Sequence, residues 1–244
     1  MIVYAKSDIG KVRDMNQDFF YVSGENSTIK LYILADGMGG YKGGEIASKV
    51  AVKTSSKYIS DNINFIDTQD KEAVTTLIKK AIEHANLMVY KKSQDNAELA
   101  EMGTTLDISL IIGNKLYIGH VGDSSVYRIR KNIIRKLTTD HSYVQKLVKE
   151  GTITKEEAYN HPKKNMLIKA LGCATEVGPD VFYKGFLKDD ILFMCSDGLT
   201  NMLHDNEIYD IIRANKNNPV DKLIDKANKN GGLDNITAIV VNNE

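Results

Sequence analysis

The sequence predicts an α+β fold in which antiparallel sheets are covered by helices. Three observations carry this: strand-like stretches come in blocks, amphipathic helices come in blocks between them, and short polar turns join several neighbouring strands. Residues 2–5, 19–22 and 29–35 are short, rich in β-branched and aromatic residues and separated by polar segments, which reads as an antiparallel meander. Two helices follow. One places Ile46, Val50, Ala51, Thr54 and Tyr58 on one face; the other does the same with Val74, Leu77, Ile78, Ala81, Ile82, Ala85, Met88 and Val89. Leu106, Ile108, Leu110 and Ile112 then alternate with polar residues, and Gly113-Asn114 turns the chain into residues 115–121, followed by 126–130 as a second antiparallel set. Residues 141–160 read as short helices. Residues 181–187 and 191–194 read as a strand pair across Lys188-Asp189-Asp190. Helices over 206–214 and 220–229 and a strand over 235–241 close the series. The polar stretches 93–101 and 155–165 carry the least periodicity, and the second has the character of a flap beside a site.

A chain of 244 residues can bury one large core, so a single domain over 1–244 is expected. Lysine plus arginine balances aspartate plus glutamate at 32 each, so no net charge draws the protein to nucleic acid or to an anionic membrane. No apolar run approaches the ~18 residues of a membrane span, and the apolar run at the first residues is far too short for a signal peptide. A cytoplasmic protein with no membrane insertion is the expectation. Cys173 and Cys195 are the only cysteines; Cys195 lies in an apolar run, as a small buried hydrophobe does, and no motif makes the two a redox pair.

The chemistry is in the aspartates. Asp36, Asp123 and Asp197 each end an apolar strand-like run, Asp36 and Asp197 are followed by glycine, and Asp234 immediately precedes the last strand. Strand ends bring side chains to the rim of a sheet, where several acids can converge on a hard cation such as Mg²⁺ or Mn²⁺. A glycine after the acid, free to take positive φ, could turn its carbonyl toward the same ion. Each Asp-Gly alone is an ordinary turn; four acids placed alike are not. The absence of His-Glu-x-x-His, of paired Cys-x-x-Cys and of a Walker-type loop argues against zinc and against a P-loop nucleotide site.

In order along nearly the whole chain run Arg13-x-x-Asn16-Gln17-Asp18, Ala35-Asp36-Gly37-Met38-Gly39-Gly40, Gly103-Thr104-Thr105, Gly119-His120-Val121-Gly122-Asp123-Ser124, Leu137-Thr138-Thr139-Asp140-His141-Ser142, Leu171-Gly172, Cys195-Ser196-Asp197-Gly198-Leu199 and Gly231-Gly232-Leu233-Asp234-Asn235-Ile236-Thr237. This ordered series resembles the type 2C family of metal-dependent serine/threonine protein phosphatases in its compact bacterial form. The resemblance implies a four-layer α-β-β-α sandwich, two central antiparallel sheets flanked by helices, forming one catalytic domain with a flap at about 145–170. It implies hydrolysis of phosphoserine and phosphothreonine in proteins by metal-activated water at a binuclear centre, reversing a serine/threonine kinase, in a monomer. Two Mn²⁺ or Mg²⁺ ions would bind tightly, Asp36 bridging them, the Gly37 carbonyl on one, Asp197 and Asp234 completing the other, and Asp18 acting through water. Asp123 with Asp197 would hold a third, weaker ion. Arg13 would grip the substrate phosphate with a planar fork that suits it better than lysine does.

The chain departs from that family at Tyr41, where histidine is common, and at Ser125, where arginine is usual. The first leaves the general acid unassigned; the second points to altered packing or a changed surface ion pair. His84, His120 and His204 are expected to be structural or surface residues, while His161 falls in the flap. A pseudophosphatase would have lost metal acids, yet Asp36, Asp197 and Asp234 are present. A purely structural module would not need acids at four strand ends.

Overall fold

The computed structural model of the chain describes residues 1–95, 97–215 and 217–244, and within these leaves aside the side chains at positions 40–42 and 159. The elements in chain order are β1 (Ile2–Asp8), β2 (Asp18–Val22), β3 (Lys30–Met38), α1 (Gly40–Asn62), α2 (Lys71–Gln94), β4 (Gly103–Thr104), β5 (Leu106–Ile112), β6 (Lys115–Val121), β7 (Ser125–Arg130), β8 (Ile133–Lys136), α3 (Tyr143–Lys149), α4 (Lys155–Tyr159), β9 (Asp180–Gly185), β10 (Ile191–Cys195), α5 (Asp197–Thr200), α6 (Asp205–Ala214), α7 (Pro219–Lys229) and β11 (Ile236–Asn242). One sheet has the order β1-β11-β10-β7-β8. The other has the order β2-β3-β5-β6-β9, with β4 beside β3, and every pairing is antiparallel.

Alternation along the strands builds four layers. On β3, Leu31, Ile33 and Ala35 join Ala51, Ile78 and Ile82 of α1 and α2, while Tyr32 and Leu34 face the other sheet. On β10, Leu192 and Met194 meet that same inter-sheet core, and Phe193 and Cys195 turn outward to Ile208, Ile212, Leu223 and Ile224 of α6 and α7. Central strands such as β3 and β10 are apolar on both faces because each sheet is covered on both, by helices outside and by the other sheet inside. The helices start where local chemistry lets them: the Asp70 carboxylate accepts from the Glu72 amide at the head of α2, and Pro219 opens α7. Inside the flap, Thr154 and Glu157 form a reciprocal capping box that starts α4. Asn96, in the stretch expected to be least periodic, lies outside the described residues.

Three expected pairings are corrected. β1 does not continue into a meander with β2; it pairs with β11 in the other sheet. β7 leaves β6 at Gly122-Asp123 and joins β10. The expected hairpin of β9 and β10 does not exist: β9 pairs with β6 and β10 with β7 and β11. Phe186, fully buried between the sheets, marks the crossing from β9 to β10, and Asp190 fixes it by accepting from the Leu187 amide and from both Nε and Nη2 of Arg130. A period-two pattern says which face of a strand is buried, not which sheet the strand joins.

Candidate active site

The strands deliver five aspartates to one end of the two sheets. Asp18 opens β2 and stands directly opposite Asp36 of β3, a cross-strand pair of like charge that would repel if both were ionised. Asp123 sits in the turn between β6 and β7, Asp197 follows β10 and begins α5, and Asp234 precedes β11. Ser196 and Thr237 tie the last two segments together: the Ser196 amide donates to the Thr237 carbonyl, and the Thr237 amide to Ser196 Oγ.

Around these acids a set of small polar residues fixes the backbone. Thr105 Oγ1 accepts from the Asp36 amide at 2.9 Å, Thr104 Oγ1 donates to the Asp36 carbonyl at 2.9 Å, and Ser124 Oγ holds Thr105 Oγ1 in turn. Asn235 is saturated, accepting from the Gln17 amide and donating to the carbonyls of Ile9 and Met15, so it pins the 9–17 loop, which carries Arg13, against the start of β11. Asn16 Oδ1 accepts from the Asp18 amide, and Asn201 Nδ2 donates to Asp197 Oδ2. Sequence reasoning quoted Asn16, Thr104, Thr105, Ser124, Ser196, Asn235 and Thr237 within motifs and gave none of them a task. Their signal is that small hydrogen-bonding residues flank every acid.

The glycines after the acids do not take the positive φ expected of them, and they have a further use. Neither Gly37 nor Gly198 has positive φ. A Cβ on Gly37 would lie 2.1 Å from the Gly44 carbonyl oxygen, and one on Gly198 would lie 2.0 Å from that of Asn235. They allow backbones to touch where the acids converge.

Electrostatically the rim is short of positive charge. Burial and the neighbouring Asp18, Asp197, Asp123 and Asp234 hold the Asp36 carboxyl well above the ordinary range. Burial also pushes Asp18 up to about 7, against the bonds that Thr237 and Ser196 donate to its Oδ2. Asp123 is pushed up to about 8 by burial and then by Asp197 and Asp140, against Lys136. Asp197 is raised by burial and Asp234, moderated by hydrogen bonding to Asp36 and Asn201. Asp18 Oδ1 is buried with no partner. Arg13 Nη2 reaches Asp234 Oδ2 at 2.8 Å, with the two side chains 52% and 34% exposed. Among the described residues no three acidic, imidazole or thiol groups form a closed ligand set, since Asp234 turns to Arg13 and Asp18 to hydroxyls. An all-oxygen donor set with an orphaned carboxylate oxygen and several carboxyls destabilised by their own charge suits a hard divalent cation.

Beside Asp123 and Asp197 a cavity of about 190 Å³ opens toward the flap, lined also by Asp140, Lys155, Lys164 and Asn165. The flap is tied to the acid-bearing segments at its far end, where Leu171 and Thr104 exchange backbone hydrogen bonds. Ser125 is fully buried at the start of β7, so its departure concerns packing and not a surface ion pair. The side chain of Tyr41 lies outside the described residues. His120 is buried and bonded to Asp107, the His84 ring packs at a tilt against Tyr58, and His161 Nδ1 accepts from the Lys163 amide. Cys195 is buried and Cys173 exposed, and both are free.

This two-sheet scaffold with its acidic rim defines a class. Residues 11–230 match the family described as protein phosphatase 2C, and the chain belongs to that family of serine/threonine protein phosphatases. It is 37% identical over 238 residues to the serine/threonine phosphatase stp of Listeria welshimeri, covering 97% of this chain and 93% of that one. It is 38% identical over 241 residues to the protein phosphatase PhpP of Streptococcus pneumoniae, covering 96% and 94%. Among solved structures it resembles the S. agalactiae serine/threonine phosphatase, with a TM-score of 0.90 and 37% identity over 100% of this chain and 99% of that one. It also resembles the catalytic domain of the serine threonine protein phosphatase PstP in complex with two manganese ions, with a TM-score of 0.84 and 32% identity over 98% and 96%.

Proposed function

We propose that this chain hydrolyses phosphoserine and phosphothreonine in proteins at a centre of two tightly held Mn²⁺ or Mg²⁺ ions, with a third bound more weakly. The observation that supports this most directly is the convergence of Asp18, Asp36, Asp123, Asp197 and Asp234 on one rim, with four of the carboxyls raised by burial and by one another. Asp36, the Gly37 carbonyl, Asp197 and Asp234 would hold the tight pair, Asp18 acting through water, and Asp123 with Asp197 the third. When bound, the ions supply Lewis acidity that acidifies water and neutralises phosphoryl oxygens, which a reaction as slow as monoester hydrolysis requires.

The chain's own residues do the rest. Arg13 is half-exposed and engages one carboxylate oxygen, so its guanidinium has further N–H groups to offer a phosphate. Thr105 and Asn235 hold the segments of Asp36 and Arg13 in register before any substrate arrives. The flap, about 145–170, walls the cavity beside Asp123 and meets the protein that carries the phosphate. In this account residues 1–244 act as one catalytic domain, a cytoplasmic monomer opposing a serine/threonine kinase; among the described residues no helix is long and apolar enough to cross a membrane. The test is hydrolysis of phosphothreonine and phosphoserine peptides with and without metal. Turnover should appear with added Mn²⁺ or Mg²⁺ and vanish in excess EDTA, and full activity of metal-free protein would overturn the proposal.

A further inference from the structure

The geometry points to His141 as a positioning residue that fastens the flap and the Asp123 turn to each other, so that neither can shift without the other. His141 makes contacts in four directions. Its backbone amide donates to the Gly122 carbonyl at 2.7 Å, and its ring Nδ1 accepts from the Gly122 amide at 3.2 Å, so both polar backbone groups of the residue before Asp123 end on this one histidine. Its carbonyl accepts from the Ile168 amide at 2.8 Å; one residue on, Ser142 and Leu167 form a β-bridge, and the Tyr143 amide donates to the Met166 carbonyl, which together close the base of the flap. Its Nε2 lies 3.4 Å from Asp180 Oδ2, at the start of β9. Its ring stacks on His120 with centroids 4.8 Å apart.

The hydrogen bonds assign the ring proton. Because the Gly122 amide donates to Nδ1, that nitrogen is the acceptor, and the proton sits on Nε2, toward Asp180. His120 forms the floor beneath: Nδ1 meets Asp107 Oδ1 at 2.6 Å, and Nε2 meets the Thr139 carbonyl at 3.1 Å, holding the segment that leads into His141. Gly122 has φ of +113°, and a Cβ there would lie 2.5 Å from Thr105 Cγ2, so only glycine lets the turn lie directly against Thr105. Thr105 in turn binds the Asp36 amide. A displaced Gly122 therefore disturbs the aspartate that follows it and presses on the support of a second one.

The functional side of this inference rests on Asp123 as a metal-side acid; the coupling itself does not. Three variants separate the possibilities. His141→Asn places an amide near the Nδ1 position and can still accept from Gly122, whereas His141→Gln reaches toward Asp180 and gives up the Gly122 contact; His141→Ala loses both. Backbone hydrogen exchange of metal-free protein should show Gly122–Ser124 and the flap base near 166–168 exchanging at least ~10-fold faster in the alanine and glutamine variants, in parallel, with the asparagine variant close to wild type. Calorimetric titration with Mn²⁺ should show the weakest site losing about tenfold affinity in the glutamine and alanine variants and recovering in the asparagine one, with the tight sites unchanged. Faster exchange in only one of the two segments, or equal behaviour of the asparagine and glutamine variants, overturns the inference. Should alanine fail to fold, the asparagine and glutamine pair still decides it. If Asp123→Asn itself alters no metal affinity, the assignment of Asp123 has failed, and the exchange data alone then settle whether His141 couples the two segments.

Discussion

Replacing Arg13 with alanine should pull two properties in opposite directions. If Asp234 holds metal as proposed, the arginine would compete with the ion for it in the absence of substrate, and its loss would free that carboxylate. The ion pair is a single 2.8 Å contact between side chains 52% and 34% exposed, so it contributes little. Exposed pairs are worth about 0.2–1 kcal/mol, which caps the gain in metal affinity at roughly fivefold. With substrate, the same guanidinium would grip phosphate, and a charge-assisted contact of about 1.5–3 kcal/mol implies that kcat/KM falls by roughly ten- to two-hundred-fold. If the contact is equal in ground and transition states the loss falls on KM; if it tightens during transfer, kcat falls as well. Lysine should restore only part of the loss, because a point charge does not reproduce the fork. The assays are calorimetric Mn²⁺ titration without substrate and steady-state hydrolysis of a phosphothreonine peptide at saturating metal. Wild-type kcat/KM in Arg13→Ala would return the arginine to an ordinary surface charge. A tenfold weaker metal affinity would show that it supports the acids instead of competing for one.

Three further outcomes are expected. Asp197→Asn and Asp234→Asn should each nearly abolish turnover while leaving the fold intact, since removing a charge from a repulsive cluster relieves the apo protein; a folded Asp197→Asn enzyme with near-wild-type turnover at saturating metal would remove it from the site. Asp123→Asn should lower activity and abolish only the weakest metal site by calorimetry, and loss of a tight site would move Asp123 into the central pair. Far from this rim, Asp190→Ala should cost about 2 kcal/mol, below the roughly 3–5 of a fully buried pair because Arg130 is one-third exposed and can turn to water, lowering Tm by roughly 4–8 °C in calorimetry. Burial pushes the Asp190 carboxyl up, but Arg130 and the Leu187 amide outweigh it and set it below the ordinary value. The pair's contribution is therefore present above about pH 3.8 and lost only as pH falls through the lowered folded value, and an unchanged Tm at pH 7 would refute it.

Strand and helix types were legible because residues 29–35 form a short run rich in β-branched and aromatic residues, and because helical periodicity marks one buried face over residues 74–89. Partnership was not. The contacts that send β1 to β11 lie at opposite ends of the chain, and nothing local in residues 2–8 records them. The short β8, with alternate residues exposed, and the two-residue β4 escaped notice because they span too few repeats of the two-residue period to stand out. Four of the five rim acids could be located by their place at strand ends; Asp18 came only with the family resemblance. The Arg13–Asp234 pair and the supports from Asn235 and Thr105 could not, since each joins residues far apart in sequence through side chains of unremarkable type.

The bonds that lash the 9–17 loop to the start of β11 also govern when the enzyme can come into being. Thr237 Oγ1 donates to Asp18 Oδ2 from 219 positions away in sequence, and Arg13 meets Asp234 from 221 positions away. As the chain leaves the ribosome, the second sheet can gather β2, β3, β5 and β6 early, but β1 waits without its neighbour until β11 emerges. Closing so long a loop is entropically costly and slow, and it comes last. A nascent chain or one shortened before β11 would thus carry Asp18 without the Thr237 hydroxyl that bonds it, and dephosphorylation would wait for β11 to join β1 and β10. The fold makes activity wait on the emergence of its last strand.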